Sequence, residues 1–400
     1  MAEPVPAVPD LGKPQFQHHA AFEPVIVVGI MVASCYVTRR RNYPLKPPSN
    51  QDQGLLGRPE HRDDGDSLSD DYEEQEMLSR YPVSSASATH PSKKRNCCGT
   101  VVYTPNTSRY ANYRHSRFIQ KFPFLVEMFY WAINLLFYVS VKAGSELIFA
   151  TEGIWKTAET HAVAVLDFEH KGFFSFLFPL REVDVQMFFR TKHQDMLTVL
   201  NRGYSLIHIP VTVSFLAWYY YAAPTHAQFA AARRMMSLTN FVSFAVFTTY
   251  PCMPPRLLPE EFGFFDTVRR EDAESIWASG KFFNQLAAFP SLHFGYSFCI
   301  GTVLMYHSGL FRRRLGPREK RMSKFRQFFF AALSIVYPST VLLIIVSTAN
   351  HYWLDAMAAT GVVAISWLCN RGLLLLLPLE DFFLWSVKLE KPIPTTGTRG

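Results

Sequence analysis

The feature that most constrains this chain is the recurrence of long apolar segments from residue 122 onward. They occupy 122–150, 205–223, 236–253, 287–307, 328–349 and 353–377. A helix that crosses a bilayer needs roughly 17–25 predominantly apolar residues. In hydrocarbon every backbone N–H and C=O must be satisfied within the segment, which favours helices. The pattern therefore predicts an all-α, polytopic membrane helix bundle with six core transmembrane helices. Charge supports this. Charged residues make up 18% of the 400-residue chain, against about 25% in soluble domains, and many of them fall between residues 50 and 120.

The remaining segments read differently. Residues 24–38 (PVIVVGIMVASCYVT) form a shorter apolar run followed by Arg39-Arg40-Arg41. A secretory signal carries its positive residues before the apolar core, so this run is expected to be an anchor helix inside an N-terminal segment, 1–41, with its C-terminal end in the cytosol. Residues 42–120 hold an acidic block from Asp63 to Glu76, then a basic stretch from Lys93 to Arg117, with few large apolar residues. That composition predicts a disordered cytosolic linker. The membrane domain is expected over 121–380 and a cytosolic C-terminal tail over 381–400. Residues 155–200 mix apolar and acidic positions and read as interfacial amphipathic helices.

Net charge is +7, but the basic residues sit in clusters between apolar runs. This fits the positive-inside rule rather than a groove tracking nucleic acid. Arg109 to Lys121, Arg233-Arg234 and the cluster from Arg312 to Arg326 alternate correctly as cytosolic connections. Segments 151–204, 254–286 and 350–352 then share the opposite face. The sequon Asn106-Thr107-Ser108 falls on the cytosolic side. The six cysteines have neither a disulfide framework nor zinc-ligand spacing. Cys97-Cys98, after Lys93-Lys94-Arg95, reads as a palmitoylation site or as two free thiols. No metal and no cofactor is expected.

The chemistry-bearing residues collect on the non-cytosolic face. Pro254-Pro255-Arg256 ends the third core helix, Pro290-Ser291-Leu292-His293 opens the fourth, and His351 and Asp355 lie where the fifth ends and the sixth begins. Pro290 suits a first helical turn, and the free amides of a helix start favour an anion such as phosphate. His293 is placed to exchange a proton. His351 and Asp355, four residues apart, share a helix face, so the carboxylate can orient the imidazole. An oriented neutral imidazole is a competent nucleophile toward phosphorus. Each fragment alone is a weak signal: His-x-x-x-Asp also describes a helix-capping ion pair. Their combination on one membrane face is what points to phosphoryl transfer.

These residues resemble a known family. AAFPSLHFGYS (287–297), ANHYWLDAMAATG (349–361) and TYPCMPPRLLPEEFGFFDT (249–267) are similar to three motifs of the type 2 phosphatidic acid phosphatase superfamily, within it the inositolphosphotransferase branch that contains inositol phosphorylceramide synthase. NRGYSLIHIPVTVSFLAWYYY (201–221) resembles that branch's second core helix. The likeness spans roughly 120–380. It implies a helix bundle of the phosphatidic acid phosphatase/haloperoxidase type, with His351 as nucleophile, Asp355 orienting it, His293 as general acid, and Ser291 and Arg256 on the phosphate, without a metal. The sequence departs from the superfamily pattern at three places. Thr249 stands where a Lys is usual, Leu257 follows Arg256 in place of Pro, and Ile344-Ile345 replaces a Ser-Arg pair. Arg202 and Lys281 are the candidates to complete the phosphate-binding set.

Three functions compete at this level. One is transfer of a head-group phosphate from a phospholipid such as phosphatidylinositol to a lipid hydroxyl such as that of ceramide, as in sphingolipid synthesis. Another is hydrolysis of a lipid phosphate such as phosphatidic acid, with water as acceptor. The third is a catalytically reduced membrane scaffold. The expected setting is an endomembrane, Golgi or ER, with the site on the lumenal face, lipids and the bilayer as partners, and no nucleic acid.

Overall fold

The computed structural model describes residues 22–46, 92–97, 100–148, 153–171, 173–267, 286–312 and 321–397. The acidic block at 63–76, Cys98, Lys281 and the middle of the 312–326 basic cluster lie outside the described residues. Among the described residues the chain is largely helical: α1 (Phe22–Thr38), α2 (Arg114–Lys121), α3 (Phe124–Ile148), α4 (Ile154–His170), α5 (Glu182–Lys192), α6 (Gln194–Ala222), α7 (His226–Thr249), α8 (Leu292–Ser308), α9 (Lys324–Ser347), α10 (Trp353–Cys369) and α11 (Leu377–Ser386). Two strands, β1 (Lys93–Cys97) and β2 (Thr100–Thr104), pair antiparallel with Lys93 opposite Thr104.

Each of the six expected core segments is helical, in α3 and α6 to α10. Three stretches are long and apolar enough to cross a membrane: Phe124–Val141, Lys324–Ser347 and Trp353–Ser386. Phe328, Ile335 and Val336 of α9 are exposed, an outward apolar surface of the kind a bilayer covers. Helix starts depart from the apolar runs. α6 begins at Gln194 and α7 at His226, some ten residues ahead of the expected 205 and 236. Polar residues extend these helices beyond the part that hydropathy detects.

The chain divides into two compact units. The first comprises Met1–Ile30, Ala132–Ala217 and Ala232–Cys369. Within it α8 begins at the N-cap Ser291, whose hydroxyl accepts from Phe294 N, and ends at Gly309 in the left-handed region. α8 and α9 approach closely at Gly301. A Cβ there would lie 2.5 Å from Ser334 O and 2.8 Å from Pro338 Cγ, so only hydrogen fits. One apolar core gathers Ala158, Ala162 and Val165 of α4 around Cys252, Met253 and Tyr352; a second packs Phe294 against Ile345, Val346, Ala356 and Ala359.

The second unit comprises Met31–Trp131, Trp218–Ala231 and Asn370–Gly400. Here the structure departs from one sequence expectation. Within the stretch 42–120 read as disordered, Lys93–Cys97 and Thr100–Thr104 form the strand pair, Thr107–Tyr110 a 3-10 turn and Arg114–Lys121 helix α2. The expected tail, 381–400, supplies their partners. Lys391 N donates to Thr107 Oγ1, Glu390 N to Ser116 Oγ and Ile393 N to Gln120 Oε1. Asp381 accepts from Arg95 and Thr104. The composition argument fails because polar residues far apart in sequence satisfy one another's backbone. Disorder arguments count apolar burial and miss such pairings.

Candidate active site

The site is built by three chain segments of the first unit. The first is the loop after α7. Cys252 forms a parallel bridge to Ala287, with Cys252 N donating to Leu286 O at 2.8 Å and Ala288 N to Cys252 O at 3.1 Å. This bridge fixes the backbone on which the second segment, the start of α8, is laid. The third is the turn from α9 to α10. Ile345 O accepts from both Asn350 N and His351 N, and Ala349 carries a positive φ of 52°. That conformation costs a non-glycine residue about 1–2 kcal/mol. It is held by Arg256 N, which donates to Ala349 O at 2.9 Å.

His351 is the centre of this arrangement. It is 3% exposed. Its Nδ1 lies 2.8 Å from Ala288 O and 3.2 Å from Asp355 Oδ2. Two acceptors on Nδ1 assign the proton to that nitrogen, which leaves the lone pair on Nε2. Nε2 is buried and has no hydrogen-bond partner among the described residues. Asp355 is fully buried, and its Oδ2 also accepts from Tyr352 N at 2.9 Å, while its Oδ1 has no partner among the described residues. The Asp355 carbonyl accepts from Ser291 N, tying the starts of α8 and α10 together. The pattern is an imidazole held through Nδ1 with Nε2 left unpartnered among the described residues.

The structure brings His293 to the same place. Its ring centroid is 5.7 Å from that of His351, and it stacks on Tyr204 at 4.3 Å. Arg256 reaches the site through the loop. Its Nε donates to Asn350 Oδ1 at 2.9 Å and its Nη1 to Asp266 Oδ2 at 2.8 Å. Ser291 is buried at the helix start with its oxygen engaged as a cap. Arg202 is exposed on α6.

The positions that depart from the superfamily pattern have structural occupations. Ile345 is fully buried in the core around Phe294, so an apolar side chain fills the place where the pattern has a cation. Thr249 turns its hydroxyl back to Ala245 O.

Sequence reasoning missed a second polar cluster. Glu169 and Glu182, both fully buried, cap the start of α10: Glu169 Oε1 accepts from Leu354 N at 2.5 Å and Glu182 Oε1 from Trp353 N at 3.2 Å. Trp353 Nε1 donates to Leu180 O. Burial, with Glu182 beside it, pushes the Glu169 carboxyl well above its usual range. The two glutamates looked like surface charges of interfacial helices. Glu169 and His170 adjoin in sequence, but twelve residues separate His170 from Glu182, and no local spacing links them.

No curated protein and no solved structure matches the chain. A family model does match: residues 164–316 fit the PAP2 superfamily. This span includes Glu169, Arg256, Ser291 and His293 and ends before His351. The match supports a phosphatase or phosphotransferase of the type 2 phosphatidic acid phosphatase superfamily.

Proposed function

We propose that the protein is an integral membrane phosphotransferase that acts on a lipid phosphodiester through a phosphohistidine on His351, in the manner of inositol phosphorylceramide synthase. The observation that carries this reading is the buried, unpartnered Nε2 of His351 with Nδ1 pinned by Ala288 O and Asp355. In the first half-reaction Nε2 attacks phosphorus, the P–O bond to the diacylglycerol oxygen breaks, and His293 delivers a proton to that oxygen. In the second, the acceptor hydroxyl gives its proton to His293 while its oxygen attacks phosphorus and releases His351. Asp355 stabilises the imidazolium character of His351 in both steps. Arg256 and Ser291, with Arg202 or Lys281, hold the phosphate oxygens.

A diester is favoured over a monoester by charge. Arg256 is already ion-paired to Asp266, and Ile345 and Thr249 stand where the superfamily pattern has cations. A cradle with so little net positive charge suits one phosphate charge better than two. The proposal includes six membrane-crossing helices, a site on the lumenal side of an endomembrane, and ceramide or another lipid hydroxyl as acceptor.

The test is an assay of the purified protein in lipid nanodiscs with phosphatidylinositol, ceramide and phosphatidic acid supplied separately. Head-group transfer that requires both phosphatidylinositol and ceramide is expected, with an acid-labile adduct on His351 when ceramide is withheld. Phosphate release from phosphatidic acid without any acceptor lipid would replace the transferase by a phosphatase. Full turnover in His351→Ala would end the phosphohistidine mechanism altogether.

A further inference from the structure

We propose that Glu169, His170 and Glu182 form a structural site for one divalent transition-metal ion, of the zinc class, behind the start of α10. One ligand atom from each of the three side chains lies within 4.8 Å of the other two. Each glutamate already spends its Oε1 on a backbone N–H of α10, which fixes the carboxylates and turns their second oxygens toward the imidazole. Glu169 is fully buried, and no donor among the described residues reaches its Oε2. His170 Nε2 is 3.7 Å from that oxygen and 2.8 Å from Glu182 Oε2.

The separations suit a metal. Zinc binds nitrogen and carboxylate oxygen at about 2.0–2.2 Å, which sets tetrahedral ligands on the order of 3.4 Å apart. The Glu169–His170 spacing is close to this, and the Glu182–His170 spacing needs to open by roughly half an ångström. One nitrogen and two carboxylate oxygens are a donor set for zinc or manganese.

Charge gives the second argument. Glu169 and Glu182 are both fully buried against one imidazole, where two bare carboxylates need a cation between them. One divalent ion neutralises both and leaves the imidazole neutral, as a ligand must be. The His170 side chain is 12% exposed, so an ion has a way in and a fourth position remains for water. The ion would join the end of α4 and the start of α5 to the turn that carries His351 and Asp355, holding the site without touching the phosphate.

The full-length protein, purified in detergent and stripped with a chelator, is dialysed against limiting Zn²⁺, and bound metal is measured by mass spectrometry. One ion per chain is expected, with a rise in thermal midpoint on loading. Substitution by Co²⁺ should give the strong visible absorption of a low-coordinate site. His170→Ala, the least buried ligand, and Glu182→Gln should each lose the ion while still eluting as folded protein. Should either variant prove unfolded, wild-type stoichiometry and the Co²⁺ spectrum still decide. No retained ion in the wild type, or full retention in both folded variants, overturns the site. So does an infrared band of a protonated carboxyl that persists in wild type at saturating Zn²⁺ and vanishes in Glu169→Gln, since the pair then holds a proton.

Discussion

Two buried aspartates, one in each compact unit, are handled in opposite ways. Asp381 of the second unit is 1% exposed and fully engaged. Arg95 Nε and Thr104 Oγ1 donate to its Oδ2, and Arg95 Nη2 reaches its Oδ1. Asp355 of the first unit is just as buried, yet it spends one oxygen on His351 and Tyr352 N and leaves the other without a partner. The first arrangement closes on itself and contributes order. The second keeps open atoms in a buried place, where an unmade hydrogen bond is expensive. A fold that retains such a cost at Asp355 and His351, while satisfying Asp381 completely, is what supports the proposed catalytic role of the Asp355–His351 pair.

That contrast can be broken by experiment. The largest effect is expected from the paired substitutions Asp355→Asn and Asp381→Asn. Asp355→Asn should lower turnover on the order of 10²–10⁴-fold while the protein stays folded, because the imidazole loses its orienting charge. Asp381→Asn should leave turnover near wild type but cost about 3–5 kcal/mol of stability, since Arg95 is left buried without its counter-charge. Rates and thermal midpoints of the two variants measured side by side check this; equal effects on both quantities would remove the distinction drawn here.

A next, smaller effect is expected at Gly301. Gly301→Leu drives a side chain into Ser334 O and Pro338 Cγ and should cost about 1–3 kcal/mol or more. The loss should appear in the thermal midpoint, with turnover at low temperature preserved in the molecules that fold. Asp266→Asn tests the charge argument for a diester. Releasing Arg256 from its ion pair should improve use of phosphatidic acid relative to phosphatidylinositol by about tenfold, the value of some 1.4 kcal/mol. An unchanged preference would mean that Asp266 does not set the charge of the cradle. The smallest effect is expected at Ser291. As an N-cap alone, Ser291→Ala costs about 1 kcal/mol of stability. A rise in KM beyond that would show its hydroxyl on the phosphate as well.

The candidate site was legible to different depths. His293, His351, Asp355, Arg256 and Ser291 were found from helix-start chemistry, the i to i+4 spacing and the shared membrane face, and the structure brings them into one region of the first unit. The partner of His351 Nδ1 across the site, Ala288 O, was not readable, because a backbone carbonyl carries no side-chain signature. Asp266 was invisible as the partner of Arg256 for a related reason: ten residues of loop separate them, and only the fold of that loop brings the two together. Ile344-Ile345 read as a gap in the phosphate cradle. The structure shows instead an occupied core position at Ile345.

By itself, then, the sequence determined what its periodicities and compositions encode locally: a largely helical chain, the six apolar segments, and the candidate residues for phosphoryl chemistry. These follow from hydropathy and helical spacing, which act over a few turns. The tertiary structure alone decided which polar groups are answered and which are left open. It set Arg95, Thr107, Ser116 and Gln120 against the C-terminal segment, buried Glu169 and Glu182 at the start of α10, and left Nε2 of His351 unpartnered among the described residues. Each of these depends on contacts between residues tens to hundreds of positions apart, and no local pattern specifies the far partner of a hydrogen bond.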